Sequence, residues 1–306
     1  LRFVCFLIGS MAMEDLLYNG QLLQHKVAFT YGVMTQVVNE AVLAHDCDPV
    51  SAHVLGRALA GALLLCPQLA EPRDRVNAVW QYPGDLRSVV VDAGGDGTVR
   101  GLVSPRHLAG LGDELATLYG DEGSLKILRS REGELLTSGS VAARLQDVVA
   151  DLEFALCVSD QIESGACVMI GFQPDAARPV ALCQGLLIQA MPEADPTVFQ
   201  SFRDRLQTPE LRQLLARSLE ADNSFEHIVR AFTGEQDPAF RINECPRPQW
   251  QCTCNEEKMG AVLITLPEAD RVDILEKNEA INIRCEFCNH RYELSPDACR
   301  AVWAQA

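Results

Sequence analysis

The chain has 306 residues, 48% of them hydrophobic, enough to bury a sizeable core and to build two domains. Its formal net charge of −16 argues against binding nucleic acid or an anionic membrane over its general surface. Twelve cysteines would signal a disulfide framework in a secreted protein, but four fall at metal-site spacing and the other eight are scattered, which fits a reducing cytosol more simply.

Leu1 to Met13 is an apolar run too short for a transmembrane helix. It has a thin n-region and no convincing cleavage site, so it is read as translated upstream sequence, with Met11 or Met13 as the start. No other stretch is taken as a membrane candidate. Lys26 to Gly32 reads as a strand, and Met34 to His45 has helical spacing. Asp48 before Pro49 is a cap followed by a favoured first-turn residue, which predicts a helix to about Cys66, where Pro67 ends it. His45 and His53 are taken as surface or cap residues rather than ligands.

A β-rich block follows. Val76 to Tyr82 and Leu86 to Asp92 flank the turn signal Pro83-Gly84, and Thr98 to Val103 follows a glycine cluster. That cluster lacks the Lys-Ser/Thr pair of a phosphate loop, so a hairpin turn is expected. Ser124 to Ser130 and Glu134 to Ser138 read as another hairpin, Val141 to Phe154 as an amphipathic helix, and Ala166 to Phe172 and Val180 to Ala190 as apolar strands. Cys66, Cys157, Cys167 and Cys183 sit in apolar surroundings and read as buried small hydrophobes.

From Asp195 the character changes. Asp195-Pro196 and Thr208-Pro209 both open helices. Leu211, Leu214, Leu215 and Leu219 make one apolar stripe, and Phe225, Ile228, Val229 and Phe232 another. Helices this short are marginal alone and must lean on other parts. Gly234 to Pro248 looks like an irregular connection. The fold expected is α+β: an N-terminal core domain with a largely antiparallel sheet over 14–193, a helical linker over 194–248 and a small C-terminal zinc-binding domain over 249–306.

The last of these carries the chemistry. Cys252 and Cys254 form a C-x-C pair, Cys285 and Cys288 a C-x-x-C pair, with residues 255–284 between. Each pair is a local chelate, and four protein ligands leave no open position, so a structural Zn²⁺ with Zn–S near 2.3 Å is expected. In an extended segment the Cα atoms of Cys252 and Cys254 would lie roughly 6.6 Å apart, near the limit for a disulfide, which would be strained and labile. Spacing alone favours an inert zinc ribbon, since ribbons are common. His290 is read as a surface residue or one backing the ligands, Cys245 and Cys299 as unpaired bystanders, and Met259 as part of a small core. Trp250 and Tyr292 bracket the motif and either cover the site or simply pack.

The motif, with QCTC, TLPEADRVDIL and Tyr292 two residues after His290, resembles the redox-regulated heat shock protein 33 family of chaperones. The similarity continues more weakly upstream, from about Leu16 through Met191-Pro192. The resemblance implies one Zn²⁺ per chain in the reduced, inactive form, with Cys252, Cys254, Cys285 and Cys288 as both ligands and redox switch. It implies disulfides Cys252–Cys254 and Cys285–Cys288 on oxidation, zinc release, a disordered linker, and an ATP-independent holdase for unfolded or oxidatively damaged proteins, typically a homodimer and cytoplasmic. Structural zinc supplies about 10–16 kcal/mol of folding free energy to small sites, so a tail of this size should unfold without it. If the helices at 196–233 packed partly against that tail, their apolar stripes would be bared too.

Two other classes are weighed. A zinc-ribbon module binding RNA or a ribosome is disfavoured by the acidity and by the lack of a Lys/Arg-aromatic patch. A thiol oxidoreductase using Cys285 and Cys288 is disfavoured because the C-x-x-C does not open a helix after a strand. No catalytic constellation stands out, so an enzyme is not expected.

Overall fold

Apolar runs of strand and of helix period build the chain into a mixture of strands and helices, and the computed structural model describes residues 14–108, 115–217 and 224–304. Residues 1–13 with the expected start, and Leu219 of the first stripe, lie outside the described residues. In order come β1 (Leu16–Leu22), β2 (Val27–Val33), α1 (Thr35–Ala44), α2 (Pro49–Leu65), β3 (Asp74–Gln81), β4 (Ser88–Gly94) and β5 (Thr98–Ser104). Then follow α3 (Leu115–Tyr119), β6 (Gly123–Arg131), β7 (Glu134–Ala143), α4 (Val148–Val158), β8 (Ser164–Phe172) and β9 (Val180–Ala190). The remainder is α5 (Pro196–Leu206), α6 (Pro209–Leu215), α7 (Ser224–Thr233), β10 (Phe240–Glu244), β11 (Gln249–Trp250), α8 (Glu256–Val262), α9 (Glu268–Lys277), β12 (Ile281–Arg284), β13 (Arg291–Leu294) and α10 (Pro296–Trp303).

Five antiparallel strands make one sheet in the order β10-β1-β2-β9-β8. A second runs β11-β5-β4-β3-β6-β7, antiparallel except for the short parallel pair of β11 with β5. The fold is thus α+β with antiparallel sheets, as the sequence predicts. Between the two sheets lies α2. Asp48 caps it by accepting from the Ser51 amide, and its Ala/Leu/Gly sequence is buried on nearly every side. By length and composition residues 49–68 would also pass for a membrane span, but here they are the core helix. Trp80, Leu125, Val89 and Leu187 from the surrounding strands complete this first core.

A second core fills the other face of the five-stranded sheet. Phe29, Tyr31 and Ile188 from the sheet meet Phe199, Phe202, Leu211, Leu215, Ile228 and Phe232 from α5, α6 and α7. The marginal helices therefore lean on this sheet and not on the C-terminal tail. The reason is area: their Phe and Leu stripes match a broad apolar sheet face, which the small tail cannot supply. Asp195 and Thr208 cap α5 and α6 as expected, accepting from the Thr197 and Val198 amides and from the Leu211 amide.

Two expectations are corrected. Residues 141–143 end β7, and the helix expected from Val141 starts at Val148, after the Asp147 cap. The stretch expected to be irregular before Pro248 contains β10, which pairs with β1 from Tyr18↔Glu244 to Leu22↔Phe240. Of the two histidines read as surface or cap residues, His45 is the C-cap of α1 and is 0% exposed. His53, the other histidine of the pair, is exposed on α2.

Asp15 caps α1 from a distance, accepting from the Gln36 and Val37 amides at 2.8 Å each. Burial pushes its carboxyl up to about 6, although those amides favour the charge. A proton kept in the fold and released on unfolding adds stability that is full below about pH 4 and lost as pH rises through about 6. Thermal melts from pH 4 to 7 should show the protein losing on the order of 2 kcal/mol relative to an Asp15→Asn variant. A parallel pair of curves would refute the assignment.

Candidate metal centre

Cys252 and Cys254 lie in the extended stretch between β11 and α8, and Asn255 caps α8 immediately after them by accepting from the Lys258 amide at 2.8 Å. Cys285 and Cys288 occupy the turn of the β12–β13 hairpin, whose register runs Ile281↔Leu294 to Arg284↔Arg291. Ile281 and Ile283 pack towards Leu263, Leu294 and Cys299, the small core of the tail. The Cys285 amide donates to the His290 carbonyl at 2.9 Å and the Asn289 amide to the Cys285 carbonyl at 2.8 Å. Asn289 closes the turn at φ 64°, a left-handed conformation that asparagine tolerates.

These two local folds bring all four sulfurs within 4.8 Å of one another. Cys252 Sγ lies 3.7 Å from Cys285 Sγ, and Cys254 Sγ 3.4 Å from Cys288 Sγ. A tetrahedral ion with Zn–S of about 2.3 Å holds its sulfurs about 3.8 Å apart, so the cluster could hold a metal ion and fits zinc. Cys285 is 5% exposed and the other three are half-buried.

The electrostatics of the donor set point the same way. Burial, then the neighbouring sulfurs, push the Cys285 and Cys288 thiols above their ordinary value. Burial acts on Cys254 too, but hydrogen bonds from Tyr292 and the surrounding thiols bring it below its ordinary value. The Tyr292 hydroxyl sits 3.0 Å from Cys254 Sγ and, through that contact, is itself pushed up. Charge on one sulfur therefore opposes charge on the next, and a divalent cation at the centre relieves that conflict.

The other residues singled out from sequence stay outside the cluster. His290 is exposed, its ring 4.7 Å from that of Tyr292. Cys299 is 0% exposed in the small core, and Cys245 is half-buried at the end of β10, its amide bonded to the Leu17 carbonyl. Met259 is half-buried. Trp250 packs on the first core and against His45, at 6.0 Å between ring centroids. Cys66, Cys167 and Cys183 are buried and Cys157 is half-buried; burial pushes the Cys66 thiol up to about 12, consistent with an inert side chain.

Sequence reasoning missed the residues on which the cysteine turn sits. His45 Nε2 is 3.0 Å from the Phe287 carbonyl, Arg106 donates to Asn289 Oδ1 at 3.0 Å, and the Arg100 guanidinium lies 4.4 Å from the centre of the Phe287 ring. They are separated from the turn by more than 180 residues, and no local pattern marks them.

Gly97, in the β4–β5 turn, anchors the approach to the site. It sits at φ 83°, and its carbonyl accepts from the Gln249 amide at 3.0 Å. A Cβ there would stand 2.5 Å from the Arg247 carbonyl oxygen, which is backbone and cannot swing aside. Gly97→Ala should cost about 1–3 kcal/mol and loosen β11. Hydrogen exchange at Gln249 and Gln251 reads this directly, and unchanged protection would contradict it.

Comparison with known proteins agrees with this geometry. The model of the family described as Hsp33 protein matches residues 15–295. A 33 kDa chaperonin of Synechococcus sp. (strain JA-3-3Ab) is 30% identical over 301 residues, covering 96% of this chain and 91% of the relative. Another, from Thermus thermophilus, is 30% identical over 282 residues, covering 89% of this chain and 81% of that protein. The crystal structure of the 33 kDa chaperonin (heat shock protein 33 homolog) of Thermotoga maritima superposes with a TM-score of 0.81 at 25% identity, covering 96% of this chain and 99% of that one. With the α+β fold, the four-cysteine cluster and a family match over nearly its whole length, the chain belongs to the Hsp33 family of chaperones.

Proposed function

We propose that this chaperone is an ATP-independent holdase switched by oxidation of Cys252, Cys254, Cys285 and Cys288, which in the reduced form bind one Zn²⁺ per chain. The observation that carries the reading is the cluster itself: four sulfurs within 4.8 Å, drawn from two segments more than 30 residues apart in the chain. Zinc bound there would neutralise the thiolate charge and tie the two segments into one folded tail.

Oxidation reverses this arrangement. For each bridge, two thiolates surrender two electrons to a peroxide-class oxidant. An S–S bond forms, the O–O bond breaks, and the oxidant takes up two protons and leaves as two waters if it is hydrogen peroxide, or as water and an alcohol if it is an organic hydroperoxide. Pairs Cys252–Cys254 and Cys285–Cys288 are the assignment, following the family. Bridged sulfurs no longer carry the charge that binds the cation, and the tail loses its organising contacts.

The domain division proposed is a core at 14–193, a linker at 194–248 and the switch domain at 249–306. The route from switch to client surface runs along the backbone. β11 is fastened to β5, and β10 to β1 just before it, so release of the tail frays the linker from its C-terminal end. Undocking of α5 to α7 would then bare Phe29, Tyr31 and Ile188 on the five-stranded sheet. A broad apolar surface of this kind binds unfolded or oxidatively damaged polypeptide without regard to sequence. The active form is proposed to be a homodimer in the cytoplasm, with no nucleic-acid or membrane partner.

Zinc content measured beside thiol titration, before and after peroxide with mild heat, tests the reading. One zinc and the four cluster thiols should be lost together, and suppression of client aggregation should appear. Zinc loss without that suppression would overturn it.

A further inference from the structure

The turn that carries Cys285 and Cys288 is seated on the core, and one side chain touches both of the segments that carry the cysteines. Arg100 projects from β5. Its guanidinium covers the Phe287 ring at 4.4 Å, in the middle of the second cysteine pair. Its Nη1 reaches Cys252 Sγ at 3.8 Å and Thr253 Oγ1 at 3.4 Å, in the first pair. Its Nε donates to Asp92 Oδ2 at 2.9 Å, and the other oxygen of Asp92 is held by Arg75 Nε at 2.9 Å. Asp92 is only 6% exposed, so Arg100 is fixed from the core side before it meets the tail.

We propose that Arg100 is a positioning residue of the redox switch: a pin that seats the Cys285–Cys288 turn and the Cys252 sulfur on the edge of the six-stranded sheet, so that intact core structure restrains oxidation. The proposal rests on the switch reading above and adds to it where the switch is read from. A planar guanidinium can stack on an aromatic face and still donate along its rim, which a lysine ammonium cannot do from one position. His45 and Arg106 hold backbone and side-chain oxygens of the same turn, whereas Arg100 reaches the first cysteine pair as well. Distortion of the β4–β5 hairpin would move Asp92 and Arg100 together and lift the turn, even with the cation still held by its four ligands.

The full-length, reduced, zinc-loaded protein tests this. Arg100→Ala leaves Asp92 paired with Arg75, so no buried carboxylate is orphaned. Zinc content and the melting of the core should stay as in the parent. Hydrogen exchange over residues 284–290 and the rate of thiol oxidation by hydrogen peroxide should both rise about five- to tenfold, the factor expected for losing one well-formed cation–π contact. Arg100→Lys should fall between, since it keeps charge without the stacked plane. Phe287→Ala removes the contact from the tail side and should match Arg100→Ala, with the double variant no faster than either single one. Unchanged exchange and oxidation in both single variants would overturn the proposal, as would zinc loss in Arg100→Ala, because a pin is not needed to hold the cation. Failure of the holdase reading is separate: it would show as no gain of client binding in the oxidised parent, while the exchange measurement still reports on the pin.

Discussion

Cys288→Ser in the reduced protein should abolish tight zinc binding and unfold residues 252–304 while the core, with β11, stays folded. Cys288 Sγ stands 3.4 Å from Cys254 Sγ, so one substitution removes a donor at the point where the two segments meet. Besides the contacts of Arg100, His45 and Arg106 with the cysteine turn, what remains within the tail to hold it is slight. Its fully buried apolar side chains are Leu263, Leu294 and Cys299, with Ile281, Ile283, Leu266 and Trp303 only partly covered. Burying a large aliphatic side chain contributes about 1.5–3 kcal/mol, and ordering each residue costs about 1–2 kcal/mol, so this core cannot offset the ordering of a tail this long. A structural zinc site contributes about 10–16 kcal/mol, the largest single term available. Zinc stoichiometry with residue-level hydrogen exchange checks this. Equal protection of Leu294 and Cys299 in the parent and the variant would show that the tail does not depend on the cluster.

Phe232→Ala should switch on client binding in the reduced, zinc-loaded protein. Phe232 is 0% exposed and sits between Phe29 on the sheet and Phe202 on α5, at ring-centroid distances of 6.0 and 6.1 Å. Removing a buried phenyl ring costs about 3–5 kcal/mol. That loss falls on α7, a ten-residue helix with little stability of its own. The helix should detach before the first core melts, because Trp80 and α2 belong to a different cluster of side chains. Suppression of client aggregation without oxidant, with zinc still bound, is the expected readout. If the variant loses helix packing by exchange and yet binds no client, the sheet face is not the client surface.

The clustering of the four cysteines was legible because their spacing is itself geometry: two local pairs and a spacer long enough to fold back. So were the caps at Asp48, Asp195 and Thr208, where one side chain and the following proline specify a helix start. Strands hidden from sequence were hidden for a reason. β1 carries Gly20 and Asn19, and its burial does not alternate cleanly. Four of the five residues of β10 are exposed, so its membership of a sheet depends on a partner more than 200 residues away. The Val141 helix was misplaced because Val141, Ala142 and Ala143 are apolar on both possible periods, and Asp147, the true cap, lies further on. Arg100 and His45 were invisible as site residues for the same reason as β10: their role exists only across the fold.

The strip from Phe240 to Trp250 borders two sheets at once, β10 on β1 and β11 on β5. Were that strip to peel away, both β1 and β5 would become outermost strands. Each would present a row of unsatisfied amides and carbonyls to solvent. An extended foreign chain could add to either row through main-chain bonds alone, an adhesion indifferent to side-chain identity and additional to any greasy surface.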